Sequence, residues 1–144
     1  MKTKDALLTA QELAARLLYG VKCHIKDEHI NKIRTLTNIS AGGCSFDDSS
    51  TFYGFDSFSI KPLLRPATAM TENELDKLFE ILDVPNGGSW VKIDEWLGIR
   101  FFFPEGISAR TLAEAYRYLD SIMIDYNGAI GKGIAEIAPE SMYK

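Results

Sequence analysis

The sequence predicts an α+β domain, with a small, mainly antiparallel sheet of about 3–5 strands and about three amphipathic helices packed on one face. Three separated segments repeat apolar residues at helical spacing, and segments with alternating apolar residues lie between them. The predicted hairpin and the short links between neighbouring strands make parallel crossovers less likely than antiparallel pairing. The 144 residues fit a single domain, 1–144, that is large enough to bury a core.

The first helix is predicted to begin at Thr9. Thr9-Ala10-Gln11-Glu12 fits a capping box, in which a hydroxyl and a carboxylate each accept from a free backbone amide. Gly20 suits the left-handed position that follows a helix. The expected buried stripe consists of Ala10, Leu13, Ala14, Leu17 and Leu18.

A β-hairpin is predicted next, with its first strand in VKCHIK at residues 21–26. Val21, Cys23 and Ile25 alternate there with polar residues, so one face is expected to be buried. The second strand is expected in residues 29–40. Its shared face would carry Ile33, Thr35, Thr37 and Ile39.

Residues 40–54 are small, polar and glycine-rich, which predicts a long loop. A third strand is predicted in residues 57–65. Pro62 removes a backbone donor there, so this strand should lie at a sheet edge or break at the proline.

Two further helices are predicted, with extended chain between them. A second capping box, Thr71 with Glu74, opens a helix that faces the core with Leu75, Leu78, Phe79 and Leu82 and is ended by Pro85, Gly87 and Gly88. Residues 90–103 contain one or two extended segments, and residues 104–106 form a turn. Ser108 caps a long helix that runs to about Asp125. Phe102 has the opposite parity to its aromatic neighbours, which indicates an oligomer or docking surface.

Composition excludes several classes of function. The net charge of -4 argues against a nucleic-acid partner bound by general phosphate neutralisation. Two cysteines, Cys23 and Cys44, are too few for a disulfide framework or a cysteine-rich zinc site, and we expect buried free thiols. With no membrane span and no signal-peptide core in view, we expect a cytoplasmic protein without membrane association.

Few residues offer chemistry. His24 lies on the strand face opposite Cys23, so these two side chains cannot face one ion, and His29 lies at a turn. We therefore predict no metal site and no cofactor. The carboxylates Asp47, Asp48, Asp94 and Glu95 are expected to be solvated. Lys61 and Arg65 are the predicted binding residues, because a lysine and an arginine fork on one sheet face, with Arg34 and Lys22 nearby, could hold a phosphate or a carboxylate.

The glycine-rich stretch IDYNGAIGKGIAE, residues 124–136, does not fit a phosphate-binding loop. Its glycines lack the Walker spacing, and Gly133 stands where that motif has a hydroxyl residue. We expect these glycines to end the long helix and begin a short one, with Ile130, Ile134 and Ile137 packing on the core.

Four blocks of the sequence carry a family resemblance. In order they are TAQELAARLLYGVK, IKPLLRPATAMTENE, WVKIDEWL and DYNGAIGKGIAEI. In this order they resemble a family of uncharacterised small proteins encoded by phages and prophages of anaerobic gut bacteria. The chain departs from that pattern at Leu18, where the family often has proline, and in residues 121–124, which lack the family's frequent histidine pair.

The resemblance implies an origin rather than a mechanism. We expect a non-enzymatic accessory protein that binds a host or phage protein, with self-association into a homo-oligomer as a further option. The alternatives are a counter-defence protein that sequesters a nucleotide-like ligand through Lys61 and Arg65, a small enzyme built on a carboxylate pair, and a minor virion component.

Overall fold

A computed structural model of the chain describes residues 3–84, 90–103 and 106–143. Three α-helices lie within these ranges: α1 (Thr3–Arg16), α2 (Glu72–Leu82) and α3 (Ala109–Ser121). Short 3-10 turns follow α1 at Leu17–Tyr19 and precede α2 at Ala67–Ala69. The strands are β1 (Lys22–Lys26), β2 (Asn31–Ser40), β3 (Gly43–Phe46), β4 (Tyr53–Gly54), β5 (Ser59–Pro66), β6 (Val91–Asp94), β7 (Gly98–Phe101), β8 (Ile124–Asp125) and β9 (Glu136–Ile137).

The α+β class and the mainly antiparallel sheet are confirmed, but the number of strands is larger than predicted. Seven strands form one sheet in the order β4-β3-β2-β1-β5-β8, with β9 also paired to β5, and β6 and β7 form a second sheet. All pairs from β4 to β5 are antiparallel, whereas β8 and β9 run parallel to β5. The prediction of 3–5 strands fell short because β4, β8 and β9 have only two residues each, too few to show an alternating pattern.

Helix α1 is rotated relative to the predicted stripe. It begins at Thr3, so Thr9 lies inside the helix and cannot cap it. Its buried positions are Thr9, Glu12, Leu13 and Arg16, whereas Ala14 and Leu18 are exposed. This rotation is tolerated because Glu12 and Arg16 pair with each other inside the protein. Gly20 does adopt the left-handed conformation predicted for it, with φ 74°.

The predicted hairpin of β1 and β2 is confirmed, with Val21, Cys23 and Ile25 buried. The buried face of β2 was predicted wrongly. Leu36 is the buried residue of this strand, while Ile33 is 42% exposed. The register between β2 and β3 shifts between Leu36 and Asn38, and such an irregularity interrupts the two-residue period on which the prediction relied.

The predicted loop at residues 40–54 contains β3 and β4 instead. Cys44 pairs with Tyr53 in this ladder, and Cys44, Phe46 and Tyr53 are buried in the core. A side chain at Gly43 would lie 2.2 Å from the backbone oxygen of Tyr53. The small residues that suggested a loop therefore permit close strand contact.

Strand β5 lies in the interior of the sheet, between β1 and β8, so the edge position inferred from Pro62 was wrong. The sequence also allowed a break in the strand at Pro62. Such a break is seen in the pairing of β5 with β1, which ends at Pro62 opposite Cys23. Beyond Pro62, the strand pairs with β9 and β8. The Tyr143 hydroxyl continues the junction, accepting from the Lys22 amide at 3.0 Å and donating to the Leu63 carbonyl at 2.7 Å.

Two clusters of buried side chains form the core. The first lies between α1 and the large sheet and includes Leu13, Val21, Ile25, Phe46, Phe55, Ile60, Leu64 and Met123. The second joins α2, α3 and the β6–β7 hairpin through Ala67, Leu78, Leu82, Ile99, Ala115, Leu119 and Ile124. The prediction of helices on one sheet face did not foresee this second cluster, in which α2 and α3 pack on each other.

The capping predictions for the later helices are confirmed. Thr71 and Glu74 form the complete capping box of α2, and Ser108 caps α3. Helix α3 ends at Ser121 rather than near Asp125, and Met123 then takes a positive φ of 60°. The predicted stop at Pro85, Gly87 and Gly88 and most of the predicted turn at residues 104–106 lie outside the described residues.

Candidate functional site

Arg65, one of the two predicted binding residues, is fully engaged within the protein. Its Nη1 and Nη2 donate to the two carboxylate oxygens of Glu74 at 2.8 and 2.7 Å. The same nitrogens donate to the backbone carbonyls of Ile122 and Ala69 at 3.1 and 3.0 Å. The hydrogen bonds from Arg65 lower the pKa of the Glu74 carboxyl, while Glu74 raises the pKa of Arg65. Arg65 therefore stabilises the packing of β5 against the segments that hold Glu74, Ala69 and Ile122.

Lys61, the other predicted binding residue, lies in a different environment. It lines a depression together with Lys132 and Thr9, whereas Arg65 lines a separate groove with Glu74 and Tyr143. The two further basic residues also have their own partners. Lys22 donates to the Thr35 hydroxyl at 3.0 Å, and Arg34 contacts Asp48 at 3.3 Å.

Several backbone amides of the glycine-rich segment 124–136 already have partners within the protein. Both carboxylate oxygens of Asp125 already accept from it, at 2.7 Å from the Ala129 amide and 3.0 Å from the Ile130 amide. The amides of residues 132, 133 and 134 donate to carbonyls of the same segment. The predicted short helix is absent from the described residues, and the segment instead makes a turn between β8 and β9. Ile134 is buried as expected, whereas Ile137 is 51% exposed.

A buried charge network, which the sequence analysis missed, lies between α1 and this segment. The Arg16 side chain has no exposed surface, and its Nη1 lies 2.6 Å from Glu12 Oε2 while Nη2 donates to the Ile124 carbonyl at 2.8 Å. Asp120 lies 3.8 Å from Arg16 and accepts from the Tyr126 hydroxyl at 2.7 Å. The i,i+4 spacing of Glu12 and Arg16 was the available signal, but that spacing is more typical of an exposed helix face.

Burial sets the protonation preferences of this network. Desolvation raises the pKa of Asp120, partly opposed by the Tyr126 hydrogen bond and the Arg16 charge. Desolvation also raises the pKa of Asp125, although two backbone amides oppose it. The Tyr126 hydroxyl has a raised pKa for the same reason, so it remains a donor. With Asp125 fully buried, the network has the properties of a structural element rather than of a substrate cleft.

The other carboxylates considered in the sequence also stabilise local structure. Asp48 binds Lys32 and Arg34, and the Lys32 hydrogen bond lowers its pKa. Asp94 Oδ1 accepts from the amides of Trp96 and Leu97, both at 2.8 Å, and these bonds lower its pKa. A carboxylate with a lowered pKa is poorly suited to act as a general acid or base near neutral pH.

The cysteines and His24 have no reactive arrangement. Cys23 and Cys44 are buried free thiols, as predicted, and burial raises the pKa of Cys23 and raises that of Cys44 to about 12. His24 places its two ring nitrogens against Asn31 Oδ1 and Glu136 Oε1, and these hydrogen bonds raise its pKa. Within the described ranges, no three His, Cys, Asp or Glu side chains are grouped as metal ligands.

The turn of the β6–β7 hairpin presents an apolar surface. Trp96 and Leu97 are 54% and 57% exposed, and Phe102 on the same hairpin is 43% exposed with the Lys92 ammonium 5.1 Å from its ring centre. Residues 128–131 pack closely against the backbone of this turn. A Cβ atom added at Gly128 or Gly131 would lie 2.5 or 2.8 Å from the Trp96 backbone oxygen. The sequence indicated excess aromatic residues here, but the support from residues 128–131 could not be seen in it.

Comparison with known proteins adds no relative to this picture. The chain matches no family model, no curated protein and no solved structure. Among the described residues, none of the helices has both the length and the apolar character that crossing a bilayer requires.

Proposed function

We propose that this chain is a phage- or prophage-encoded accessory protein that acts in the host cytoplasm, without catalysis, by binding a host or phage protein. The four ordered blocks of sequence that resemble the phage and prophage family support the origin. The apolar surface of the β6–β7 turn, formed by Trp96 and Leu97, supports action by protein binding.

The observation that carries the proposal is the exposure of Trp96 and Leu97 on a turn that is held by hydrogen bonds and close backbone contacts. Tryptophan is among the residues that contribute most to the binding energy of protein interfaces. Asp94 fixes the backbone amides of both residues, and Gly128 and Gly131 bring a second segment directly beneath the turn. A turn that is already ordered loses less conformational entropy when it binds, so more of the contact energy contributes to affinity.

The chemistry of the interior supports a non-catalytic role. Asp48, Asp94 and Asp125 each have a structural task, and both thiols are buried with raised pKa values. A hydrolase or transferase requires a nucleophile or a general base at an accessible cleft. Asp48, Asp94, Asp125 and the two thiols do not form such an arrangement.

A crosslinking experiment tests this proposal. The full chain, carrying a photoreactive phenylalanine analogue in place of Leu97, is irradiated in lysate of host cells with and without the phage. We expect a discrete crosslinked protein, and we expect Trp96→Ser to abolish its capture. Leu7→Ser provides the matched control, because Leu7 is 60% exposed on α1, away from the hairpin.

Two results would contradict the proposal. One is equal capture of the same protein by the Trp96→Ser variant and by the unmodified chain. The other is the absence of any crosslink from position 97, while the thermal unfolding temperature shows that the variants remain folded. A crosslink between two copies of the chain would instead identify self-association as the use of this surface.

A further inference from the structure

A depression of about 330 Å³ lies between the first half of α1, the start of β5 and the glycine-rich segment. Lys61 and Lys132 both line it, from positions 71 residues apart in the sequence. Neither lysine has an ion pair or side-chain hydrogen bond within residues 3–84, 90–103 and 106–143. Asp5 and Asp56 line the same surface, so two ammonium groups without partners beside two carboxylates favour a ligand that carries both an anionic group and hydrogen-bond donors.

Thr9 provides an independent observation at the same place. It lines the depression, has no exposed surface, and its Oγ1 finds no hydrogen-bond partner in the described part of the chain. A threonine inside a helix ordinarily donates to the carbonyl three or four residues earlier. A buried hydroxyl that forgoes this bond reduces stability, which is tolerated where a bound molecule supplies the partner.

The remaining lining suits a small organic molecule rather than a bare ion. Phe55 and Ile134 are buried and form apolar wall, and Phe58 is half-buried beside them. Asp5 and Asp56 also line the depression, and their carboxylates can accept hydrogen bonds from ligand hydroxyls. The depression has more polar and charged lining residues than apolar ones, which suits a polar organic ligand, and its volume lies at the lower end of the range of small-molecule sites.

We propose that this depression binds a nucleoside monophosphate, with its phosphate on Lys61 and Lys132, its sugar hydroxyls on Asp5 and Asp56, and its base against Phe58. Thr9 lies beneath the site, and its unpartnered hydroxyl becomes a hydrogen-bond partner of the ligand if the side chain turns toward it. The site replaces Arg65 of the sequence prediction with Lys132, because Arg65 is bound to Glu74. The proposal does not rest on the protein-binding function, which uses the β6–β7 turn.

Isothermal titration of the full chain at low ionic strength tests the site, because salt screens a contact between exposed charges. The probes are the four common nucleoside monophosphates, ribose 5-phosphate, inorganic phosphate and adenosine. We expect one saturable site with a Kd below about 1 mM for at least one nucleoside monophosphate, and binding at least about tenfold weaker for ribose 5-phosphate, phosphate and adenosine. Equal affinity for inorganic phosphate and the nucleotides would overturn the assignment of ligand class.

Variants assign the binding to these residues. Lys61→Gln and Lys132→Gln should each weaken nucleotide binding about tenfold or more, because each removes a charge-assisted hydrogen bond. Lys77→Gln is the matched control, since the Lys77 side chain is 53% exposed on α2 and does not line the depression. An equal effect of all three variants would show diffuse charge attraction and overturn the site.

Thr9→Val distinguishes a ligand contact from a mere packing defect. Valine keeps the shape of threonine and removes the unpartnered hydroxyl, so the ligand-free variant should unfold at a higher temperature. If the hydroxyl contacts the nucleotide, the same variant should bind it several-fold more weakly. Unchanged affinity would remove Thr9 from the site, and the absence of saturable binding by the unmodified chain at about 1 mM nucleotide would overturn the proposal as a whole.

Discussion

Arg65 and Glu74 form a two-bond ion pair, at 2.7 and 2.8 Å, that joins the end of β5 to the first turn of α2. Each side chain is 20% exposed, so the pair is largely shielded from solvent. Arg65 also donates to carbonyls beyond α3 and before α2, which makes one guanidinium a junction of three segments.

Removing this junction should destabilise the protein. We expect Arg65→Met to lower the free energy of unfolding by about 2–3 kcal/mol in urea denaturation, between the values for exposed and buried pairs. Arg65→Lys should recover less than half, because lysine lacks the planar fork. Arg110→Met is the control, since the Arg110 side chain is 89% exposed and should cost less than about 0.5 kcal/mol. Equal losses of unfolding free energy in Arg65→Met and Arg110→Met would contradict the structural role assigned to Arg65.

The support beneath the β6–β7 turn predicts unequal costs for three glycines. Gly98 has φ 89°, and an added Cβ would lie 2.2 Å from the Tyr126 backbone oxygen. We therefore expect Gly98→Ala to cost about 3 kcal/mol or more and Gly131→Ala about 2 kcal/mol, by urea denaturation. Gly133 has φ 77° but open space around it, so Gly133→Ala should cost only about 1 kcal/mol. Similar costs at all three positions would show that crowding plays no part.

The two buried aspartates should respond differently to conversion into asparagine. Asp120→Asn removes a charge whose burial is unfavourable and can retain the bond from Tyr126, so stability at neutral pH should change by less than about 1 kcal/mol. Asp125 accepts from the backbone amides of Ala129 and Ile130, and Asp125→Asn would place an NH₂ donor against one of them. This substitution should lower the free energy of unfolding by about 2–3 kcal/mol. Chemical denaturation at pH 7 measures both, and the reverse order would refute this description of the network.

The raised aspartate pKa values also fix the sign of a pH effect. A carboxyl whose pKa is higher in the folded state contributes stability below its unfolded pKa and loses it as pH rises through the folded value. The slope of stability against pH above about pH 4 should therefore be less negative in Asp120→Asn than in the unmodified chain. An unchanged slope would contradict the raised pKa.

His24 should add stability at mildly acidic pH. Both its ring nitrogens face acceptor oxygens, of Asn31 and Glu136, so the imidazolium satisfies both while neutral imidazole satisfies only one. Because its pKa is raised on folding, this contribution is full below the unfolded pKa and is lost as pH rises through the folded pKa. His24→Gln should cost up to about 1 kcal/mol more at about pH 6 than at about pH 9, by thermal or urea unfolding. An equal cost of His24→Gln at the two pH values would contradict this role of His24.

Local sequence signals predicted the elements that depend on neighbouring residues. The cap of α2 by Thr71 and Glu74 lies within four residues, and the alternation of β1 within six. These features hold because a short stretch of chain contains both the donor and the acceptor, or a complete apolar stripe.

Features that depend on distant partners could not be predicted in this way. Thr9 fitted a cap by its spacing, but the helix begins earlier, and Arg16 is buried only because Glu12 and the Ile124 carbonyl meet it. Strands β8 and β9 have two residues each and exist through their pairing with β5. The depression beside Lys61 escaped notice for the same reason, since Lys132 comes to it from another part of the chain.

The Tyr143 hydroxyl, which joins the Lys22 amide to the Leu63 carbonyl, has a consequence for folding during synthesis on the ribosome. Strand β5 pairs with residues 23–26, 124–125 and 136–137, and Tyr143 closes the junction with Lys22 across 121 positions. A nascent chain that has extruded only its first hundred residues therefore exposes the flank of β5 where β8 and β9 will pair. Such unpaired strand surface invites aggregation until synthesis passes residue 143, so chaperone demand should peak late in translation.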